Sequence, residues 1–135
     1  MKRAIAACCA AGALCGGCAS AAAPPEREKI GQALVDGLCS DRAEAFTARL
    51  PDEIRKDFGC EEFRSSREKL CRTMGKPVAG RYSGRLEHPF FGIELWKIAF
   101  ERPGSAGETV RQEALFQVVF CRENGKDRIV SFGFL

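Results

Sequence analysis

The chain has 135 residues, of which 45% are hydrophobic and 29% charged, and its 21 basic and 18 acidic side chains give a formal net charge of +3. Basic residues do not cluster among aromatic ones, which argues against nucleic acid as a partner. The sequence has no phosphate-binding glycine loop and no H-E-x-x-H or G-x-S-x-G pattern, and its single histidine cannot be both a metal ligand and a base. We therefore predict no metal, no cofactor and no catalytic residue.

The N-terminus has the pattern of an export signal. Two basic residues precede an Ala-rich apolar run that is too short to span a bilayer, and two glycines follow it. The segment resembles a bacterial lipoprotein signal, in which the cysteine after the cleavage point carries a lipid. This resemblance implies that residues 1–17 are removed, that Cys18 is the lipid attachment site and that residues 18–25 form a lipid-anchored tether to a membrane.

Two other interpretations of this segment compete with the lipoprotein signal. Cys15 and Cys18 have the C-x-x-C spacing of a redox pair or half a zinc site, but they follow an apolar leader and have no partner pair at zinc spacing. The run Ala21–Ala23 could instead provide a cleavage site for plain secretion. The expected location is the bacterial cell envelope, periplasmic or on the surface, with the domain outside the cytoplasm; secretion is the alternative.

Four further cysteines, Cys39, Cys60, Cys71 and Cys121, follow the tether. An even number of cysteines in an oxidising compartment makes all four candidate disulfide partners. In a helix over residues 61–74, Cys60 and Cys71 would lie about 16 Å apart, which is too far for a disulfide. Cys39 would then pair with one of these two and Cys121 with the other, or all four would be buried and reduced.

Residues 26–135 are predicted to form a single domain. Apolar residues at helical spacing predict a first amphipathic helix over residues 26–38, which Pro25 and Glu26 are suited to start. Asp41 and Glu44 resemble a capping box for a second helix that continues to Leu50.

The helical part ends with a short stretch and a third main helix. Pro51 opens one or two further helical turns, and Gly59 ends them. Residues 61–74 carry Phe63, Leu70 and Met74 on one side, and Gly75 is placed to end this helix.

After residue 77 the hydrophobic period becomes that of strands. The Asn124-Gly125 pair predicts a tight hairpin turn, because both central residues of that turn type need positive φ. The sequence therefore predicts an α+β fold in which N-terminal helices pack on a curved, four-stranded antiparallel sheet. The predicted strands cover residues 78–86, 91–101, 110–122 and 128–135.

The two middle strands are apolar on both faces. Trp96 and Ile98 alternate with Leu95 and other apolar residues, and Phe116 and Phe120 alternate with Val119. One layer of helices covers only one face of a sheet, so the second face needs a partner subunit, curvature around a cavity, or the N-terminal helix. Strong curvature that buries both faces without a ligand explains the pattern equally well.

The order of elements resembles small exported domains of the nuclear-transport-factor-2-like, cystatin-like superfamily. Helices are followed by Gly75 to Arg85, by apolar strands over 91–100 and 113–120, and by a closing hairpin that ends in Val130-Ser131-Phe132-Gly133. The resemblance covers most of residues 26–135. It implies a cone-shaped fold with a curved sheet around a pocket. Members often dimerise through the sheet, and they include isomerases, dehydratases and non-catalytic domains.

The residues that would line such a pocket come from three strands: Tyr82, Glu94, Trp96, Phe116 and Phe120. Of these, Glu94 is the only carboxylate, and we expect it to lie in water near a sheet edge and not to be buried with a raised pKa.

The remaining polar candidates have simpler interpretations. His88 precedes a proline in a turn, where a solvated histidine is expected. Arg81 and Arg85 either hold an anion or form a solvated stripe that protects an edge strand.

The expected function is that of a membrane-tethered, exported accessory or binding domain. Its sheet would serve self-association as a homodimer, or would bind a small apolar ligand or an envelope protein. The alternative is a small isomerase- or dehydratase-like enzyme, which would need Glu94, Tyr82 or His88 inside a deep pocket.

Overall fold

The structure, a computed structural model, describes residues 25–135. The predicted signal, Cys18 and the tether up to residue 24 lie outside the described residues. Helices come first and a four-stranded antiparallel sheet follows, which confirms the predicted α+β fold. The elements are α1 (Glu26–Cys39), α2 (Ala43–Thr47), α3 (Asp52–Arg55), α4 (Cys60–Met74), β1 (Lys76–Glu87), β2 (Gly92–Pro103), β3 (Thr109–Glu123) and β4 (Lys126–Phe134).

Helix α1 packs closely on the sheet because a glycine faces a larger side chain at each of two contacts. A Cβ atom at Gly31 of α1 would overlap the Trp96 ring, and one at Gly80 of β1 would overlap Val35. Glycine at both positions therefore lets the helix and the strands approach closely enough to exclude water from Leu34 and Val35, which are fully buried.

The predicted capping box at Asp41 is wrong. Asp41 has a φ of 55° and lies in the turn after α1, and Arg42 is the residue that precedes α2, without a side-chain cap. Asp tolerates this left-handed conformation, so the residue reverses the chain and does not cap. Its carboxylate lies 3.3 Å from Arg67 Nη1, and Glu44 pairs with Arg64 at 2.8 Å.

The end of α4 follows the prediction. Gly75 has a φ of 99°, and its N–H donates to the Cys71 carbonyl. A left-handed glycine at this position stops the helix and turns the chain into β1.

The sheet is a meander in the order β1-β2-β3-β4. Register shifts interrupt the pairing between Pro77 and Ala79 and between Tyr82 and Gly84, and a third lies in the β3–β4 pair. Such bulges increase the local twist of the strands. The β3–β4 hairpin turns at Asn124 and Gly125, whose φ values are 51° and 75°, so the predicted turn is confirmed.

All the helices that make contact with the sheet lie on one side of it, here called the inner face. The other side, the outer face, carries no helix among residues 25–135. The buried core lies between the helices and the inner face. The strand residues in it are Trp96, Ile98, Phe100, Phe116, Val118, Phe120 and Ile129, and the helical ones include Leu34, Val35, Leu38, Phe46 and Phe63.

Candidate functional site

A cavity of about 190 Å³ lies between the helices and one end of the inner face. Residues from α1, α2, α4, β3, β4 and the turn after α3 line it, and almost all of its wall is apolar. Because folded interiors pack tightly, a space of this size between elements marks a candidate ligand site. The lining residues are Leu38, Phe46, Phe58, Phe63, Ser66, Arg67, Leu70, Phe116, Phe132, Gly133 and Phe134.

Phe132 organises the aromatic wall of this cavity. Its ring centroid lies 5.4 Å from that of Phe46 and 5.2 Å from that of Phe58, both in edge-to-face contacts. Phe46 also contacts Phe63 at 4.9 Å, and Phe116 contacts Phe134 at 5.2 Å. Rings held edge to face by several neighbours have little freedom to collapse, so the cavity has a preformed wall.

Arg67 is the one charged residue among the described residues that line the cavity. It lies on α4 four residues after Phe63 and three before Leu70, so it shares their side of the helix. The apolar stripe of this helix was predicted from the sequence, but the arginine within it was not. A basic residue at the spacing of a core stripe was the signal that could have revealed it.

The predicted pocket residues do not form one site. Phe116 lines the cavity, but Phe120, Trp96, Glu94 and Tyr82 do not. Phe120 is fully buried, and the guanidinium of Arg27 lies 5.9 Å from its ring centroid.

Arg27 closes this end of the inner face with ion pairs. Its Nε donates to Asp127 at 2.8 Å, and its Nη1 lies 3.7 Å from Glu87. The end of the inner face at Phe120 is therefore closed by a salt-bridged arginine, while the end at Phe116 is open.

Glu94 is fully buried, so the expectation that it is solvated is wrong. The Tyr82 hydroxyl donates to Glu94 Oε2 at 2.5 Å, while Glu94 Oε1 has no hydrogen-bond partner among the described residues. Glu94 shares the inner face with Trp96 and Ile98, and helix α1 covers this part of the sheet. Glu94 is therefore buried because it lies on the covered face of a central strand, although carboxylates usually lie in water.

Trp96 contacts both Tyr82 and α1. Its ring contacts Tyr82 edge to face with centroids 5.5 Å apart, and its Nε1 donates to Gln32 at 2.9 Å. Apart from Glu94 Oε1, the polar atoms of the cluster thus bond within the protein, and neither Tyr82 nor Glu94 lines the cavity.

The other polar candidates are on the surface. His88 is exposed in the turn before β2, where its ring stacks on Phe91 with centroids 4.3 Å apart. Arg81 faces outward opposite Lys97, and exposed Arg85 interacts with Tyr82. None of them lines the cavity, and residues 25–135 contain no group of three His, Cys, Asp or Glu side chains that could hold a metal.

The four cysteines are all free thiols, so the structure does not support a disulfide. Cys39 ends α1, Cys60 and Cys71 lie on α4, and Cys121 lies on β3. Cys60 Sγ lies 3.5 Å from the Thr47 hydroxyl, and burial raises the pKa of the Cys39 thiol above its usual value. Of the alternative interpretation, buried and reduced cysteines, the reduced state agrees with the structure, but the four side chains are only partly buried.

The outer face exposes apolar side chains that no described element covers. Leu86 is 57% exposed and Leu115 is 36% exposed, and Ile93, Leu95 and Val119 are half-buried. Strand pairing places these five residues on the same side of the sheet, so they are here called the outer patch. Among residues 25–135, neither curvature nor a helix buries this face completely.

None of the helices in the described part of the chain has the length and hydropathy needed to cross a bilayer.

The titration of Tyr82 provides a test of the polar cluster. Tyr82 is the only tyrosine in the chain, so tyrosinate absorbance reports on it alone. Burial raises the pKa of Tyr82 above its usual value, and the hydrogen bond to Glu94 raises it further, while Arg85 lowers it. We expect the native midpoint to lie above the value of about 10 for the unfolded chain in urea.

The Glu94→Gln variant is the control for this titration. It keeps an acceptor for the hydroxyl but removes the nearby carboxylate, so its midpoint should lie closer to the ordinary value. Since the pKa is raised in the native state, the stability linked to Tyr82 is complete below about pH 10 and is lost as the pH rises through the native pKa. A native midpoint at or below that of the unfolded chain contradicts the geometry of the cluster.

Known proteins resemble this chain in structure and not in sequence. No protein-family model matches the chain, and no curated protein matches it either. A SEC-C motif-containing protein from Rhodopseudomonas palustris superposes with a TM-score of 0.55 at 14% identity, over 80% of this chain and 77% of the other. Aln2 from a Streptomyces species superposes with a TM-score of 0.51 at 11% identity, over 81% and 86% of the two chains.

A third solved structure has a cystatin-like fold. A protein of unknown function with a cystatin-like fold, from Nostoc punctiforme, superposes with a TM-score of 0.51 at 13% identity, over 81% of this chain and 86% of the other. The likeness confirms the cystatin-like part of the predicted resemblance. At these identities it concerns the fold alone.

Proposed function

We propose that the chain is an exported, membrane-tethered binding domain whose cavity holds a small apolar molecule. The observation that carries this proposal is the preformed apolar cavity at the Phe116 end of the inner face. Export and tethering rest on the signal-like residues 1–17 and on Cys18. A tether would hold the cavity close to the membrane, where small apolar molecules partition.

The cavity is too large for a packing defect and too small for a drug-sized ligand. Its volume of about 190 Å³ exceeds that of an engineered apolar cavity of about 150 Å³ that stays dry and binds benzene. Its walls offer ring faces and edges with few polar partners, so water inside would lose hydrogen bonds. An apolar occupant of about six to eight carbon atoms suits this space.

Binding of 1-octanol, measured by calorimetry, tests the proposal. Ser66 is an exposed residue of α4 at the cavity wall, whereas neighbouring Ser65 does not line the cavity. We expect the wild-type chain and Ser65→Phe to bind 1-octanol alike, and Ser66→Phe to bind it about tenfold or more weakly because the new ring occupies the entrance. Absence of binding to the wild-type chain, or equal binding by Ser66→Phe, contradicts the proposal.

The tether is tested by the intact mass of the protein extracted from its native membranes with detergent. A chain that begins at Cys18 and carries added lipid mass supports tethering. A chain without lipid that begins after Ala23 contradicts tethering and supports secretion. A chain that still begins at Met1 contradicts export.

A second candidate function is self-association through the outer patch. Its basis is the exposure of Leu86 and Leu115 beside three half-buried apolar neighbours on one open sheet face. A second copy suits this surface because a two-fold axis places the outer patch of one copy against the outer patch of the other. The charged end of the same face carries both signs, including Lys97 and Glu113 3.6 Å apart, so the copies would not repel each other there.

A further inference from the structure

We infer that the turn between β1 and β2 enters the interfacial layer of a lipid bilayer when the chain is tethered at its N-terminus. This inference rests on the proposed tethering and adds a second contact between the domain and the membrane. The turn residues His88, Pro89, Phe90 and Phe91 are here called the aromatic tip. Phe91 is 36% exposed and Phe90 is 81% exposed, which makes Phe90 the most exposed large apolar side chain among residues 25–135.

The aromatic tip is held in shape by its own contacts. The His88 N–H donates to the Phe91 carbonyl at 2.9 Å, and the His88 ring stacks on the Phe91 ring with centroids 4.3 Å apart. The Phe90 N–H donates to His88 Nδ1 at 3.4 Å, and Pro89 has no N–H group. Entry of the tip into a bilayer therefore takes few unpaired backbone groups out of water and orders little of the chain.

Helix α1 begins at the same end of the molecule as the aromatic tip. Arg27 lies in the first turn of α1, and its Nη1 is 3.7 Å from Glu87, the residue before the tip. The same nitrogen lies against Gly92, the residue after the tip, where a Cβ atom would overlap it. Further along the helix, Gly31 lies against Trp96. The helix therefore starts beside the tip and runs away from it along β2.

A tether brings this end of the domain to the membrane. Pro25 lies seven positions after Cys18, and a chain of that length spans at most about 25 Å. A lipid on Cys18 would therefore hold the aromatic tip within reach of the bilayer surface. The turn at the other end of β2, residues 104–107, lies about 35 Å from the tip and has no large apolar side chain.

The chemistry of the aromatic tip suits a neutral lipid surface. Exposed phenylalanine side chains gain free energy from burial at the boundary between headgroups and acyl chains. Charges of both signs surround the tip, since Glu26 begins α1 and Lys126 precedes Asp127, which pairs with Arg27. We therefore expect the contact to depend on apolar burial and to form on phosphatidylcholine. A bilayer is also the apolar partner that the tether itself places beside the tip.

Fluorescence quenching by brominated phosphatidylcholine tests the inference. Residues 19–135 include the whole described domain, and a hexahistidine tag in place of Cys18 would hold them on vesicles that contain a nickel-chelating lipid. We expect the emission of Phe90→Trp to fall about twofold or more on brominated vesicles, because bromine on an acyl chain quenches an indole ring that enters the bilayer. Ser105→Trp, in the turn at the other end of β2, is the matched control. It should show no quenching, like the wild-type chain, whose only tryptophan is the buried Trp96.

Retention on the same vesicles provides a second measurement. We expect Phe90→Ser to be held about tenfold more weakly than the wild-type chain, because the tip adds a second contact to the tag. Leu135→Ser should be held as tightly as the wild-type chain, because it removes a 71% exposed apolar side chain at the end of β4 away from the tip.

The outcomes separate the membrane contact from the tether, because the tag replaces the native lipid. An unquenched Phe90→Trp, or equal retention of Phe90→Ser and the wild-type chain, overturns the membrane contact in favour of a protein partner for the tip. Neither result affects the tether, which the intact mass tests. A quenched tip in a chain whose native form carries no lipid supports the contact and contradicts the tether.

Discussion

Replacing Tyr82 with Phe is expected to lower the free energy of unfolding by about 2–3 kcal/mol. The substitution keeps the ring that contacts Trp96 and removes only the hydroxyl that donates to Glu94 Oε2. Glu94 Oε1 already has no partner in the described part of the chain, so the variant would leave both oxygens of a fully buried carboxyl group without a donor. A buried polar group that loses its partner costs more than the hydrogen bond contributed. Urea unfolding followed by the fluorescence of Trp96, the single tryptophan, measures the effect.

A double-mutant cycle separates the hydrogen bond from the packing of the ring. In a Glu94→Leu background the Tyr82 hydroxyl has no acceptor, so adding Tyr82→Phe should change the stability by less than about 0.5 kcal/mol. In a Glu94→Gln background the amide oxygen can still accept the hydrogen bond, and the cost of Tyr82→Phe should return in part. An equal cost of Tyr82→Phe in all three backgrounds contradicts a role for Glu94.

The fold could be predicted from the sequence because its local signals agree with one another. The change of hydrophobic period after residue 77, the glycine at position 75 and the Asn124-Gly125 turn all indicate helices followed by hairpins, and each lies where the structure has it. Asp41 shows the limit of such signals. The same residue type that caps helices also tolerates a left-handed turn, and only the chain reversal between α1 and α2 decides which role it has.

The candidate site could be predicted only in part. The alternation of residues along a strand predicts which face of the sheet a side chain lies on, but not which other element covers it there. Phe116 and Phe120 share the inner face of β3 but lie about 13 Å apart along the strand. The first lines the cavity, and the second lies beneath Arg27. Which end a helix or an arginine covers depends on contacts between distant segments, such as that of Arg27 with Asp127. Arg67 was missed for the same reason, since its burial accompanies contacts with Leu38 and Asp41, which lie far from it in sequence.

A single charge in the outer patch is expected to have the largest effect on assembly. Leu95 lies at the centre of this patch on β2, half-buried between Gly84 of β1 and Gln117 of β3. If two copies pack through this face, Leu95→Glu would bury a carboxylate in each copy at the interface, and we expect the dimer to dissociate about a hundredfold more readily. Sedimentation equilibrium of residues 25–135 and of the same segment with Leu95→Glu measures the change.

The control places the same charge on the opposite side of the molecule. Ser65→Glu lies on an exposed position of α4, which packs toward the inner face, so it should leave the dimer unchanged. A lipid anchor would raise the local concentration of the chains, so an association of micromolar strength in solution would suffice on a membrane. A wild-type chain that remains monomeric at hundreds of micromolar, or a dimer that Leu95→Glu leaves intact, contradicts self-association through the outer patch. The monomeric result would make a different envelope protein the occupant to test next, because the exposed apolar side chains of Leu86 and Leu115 would still lack a partner.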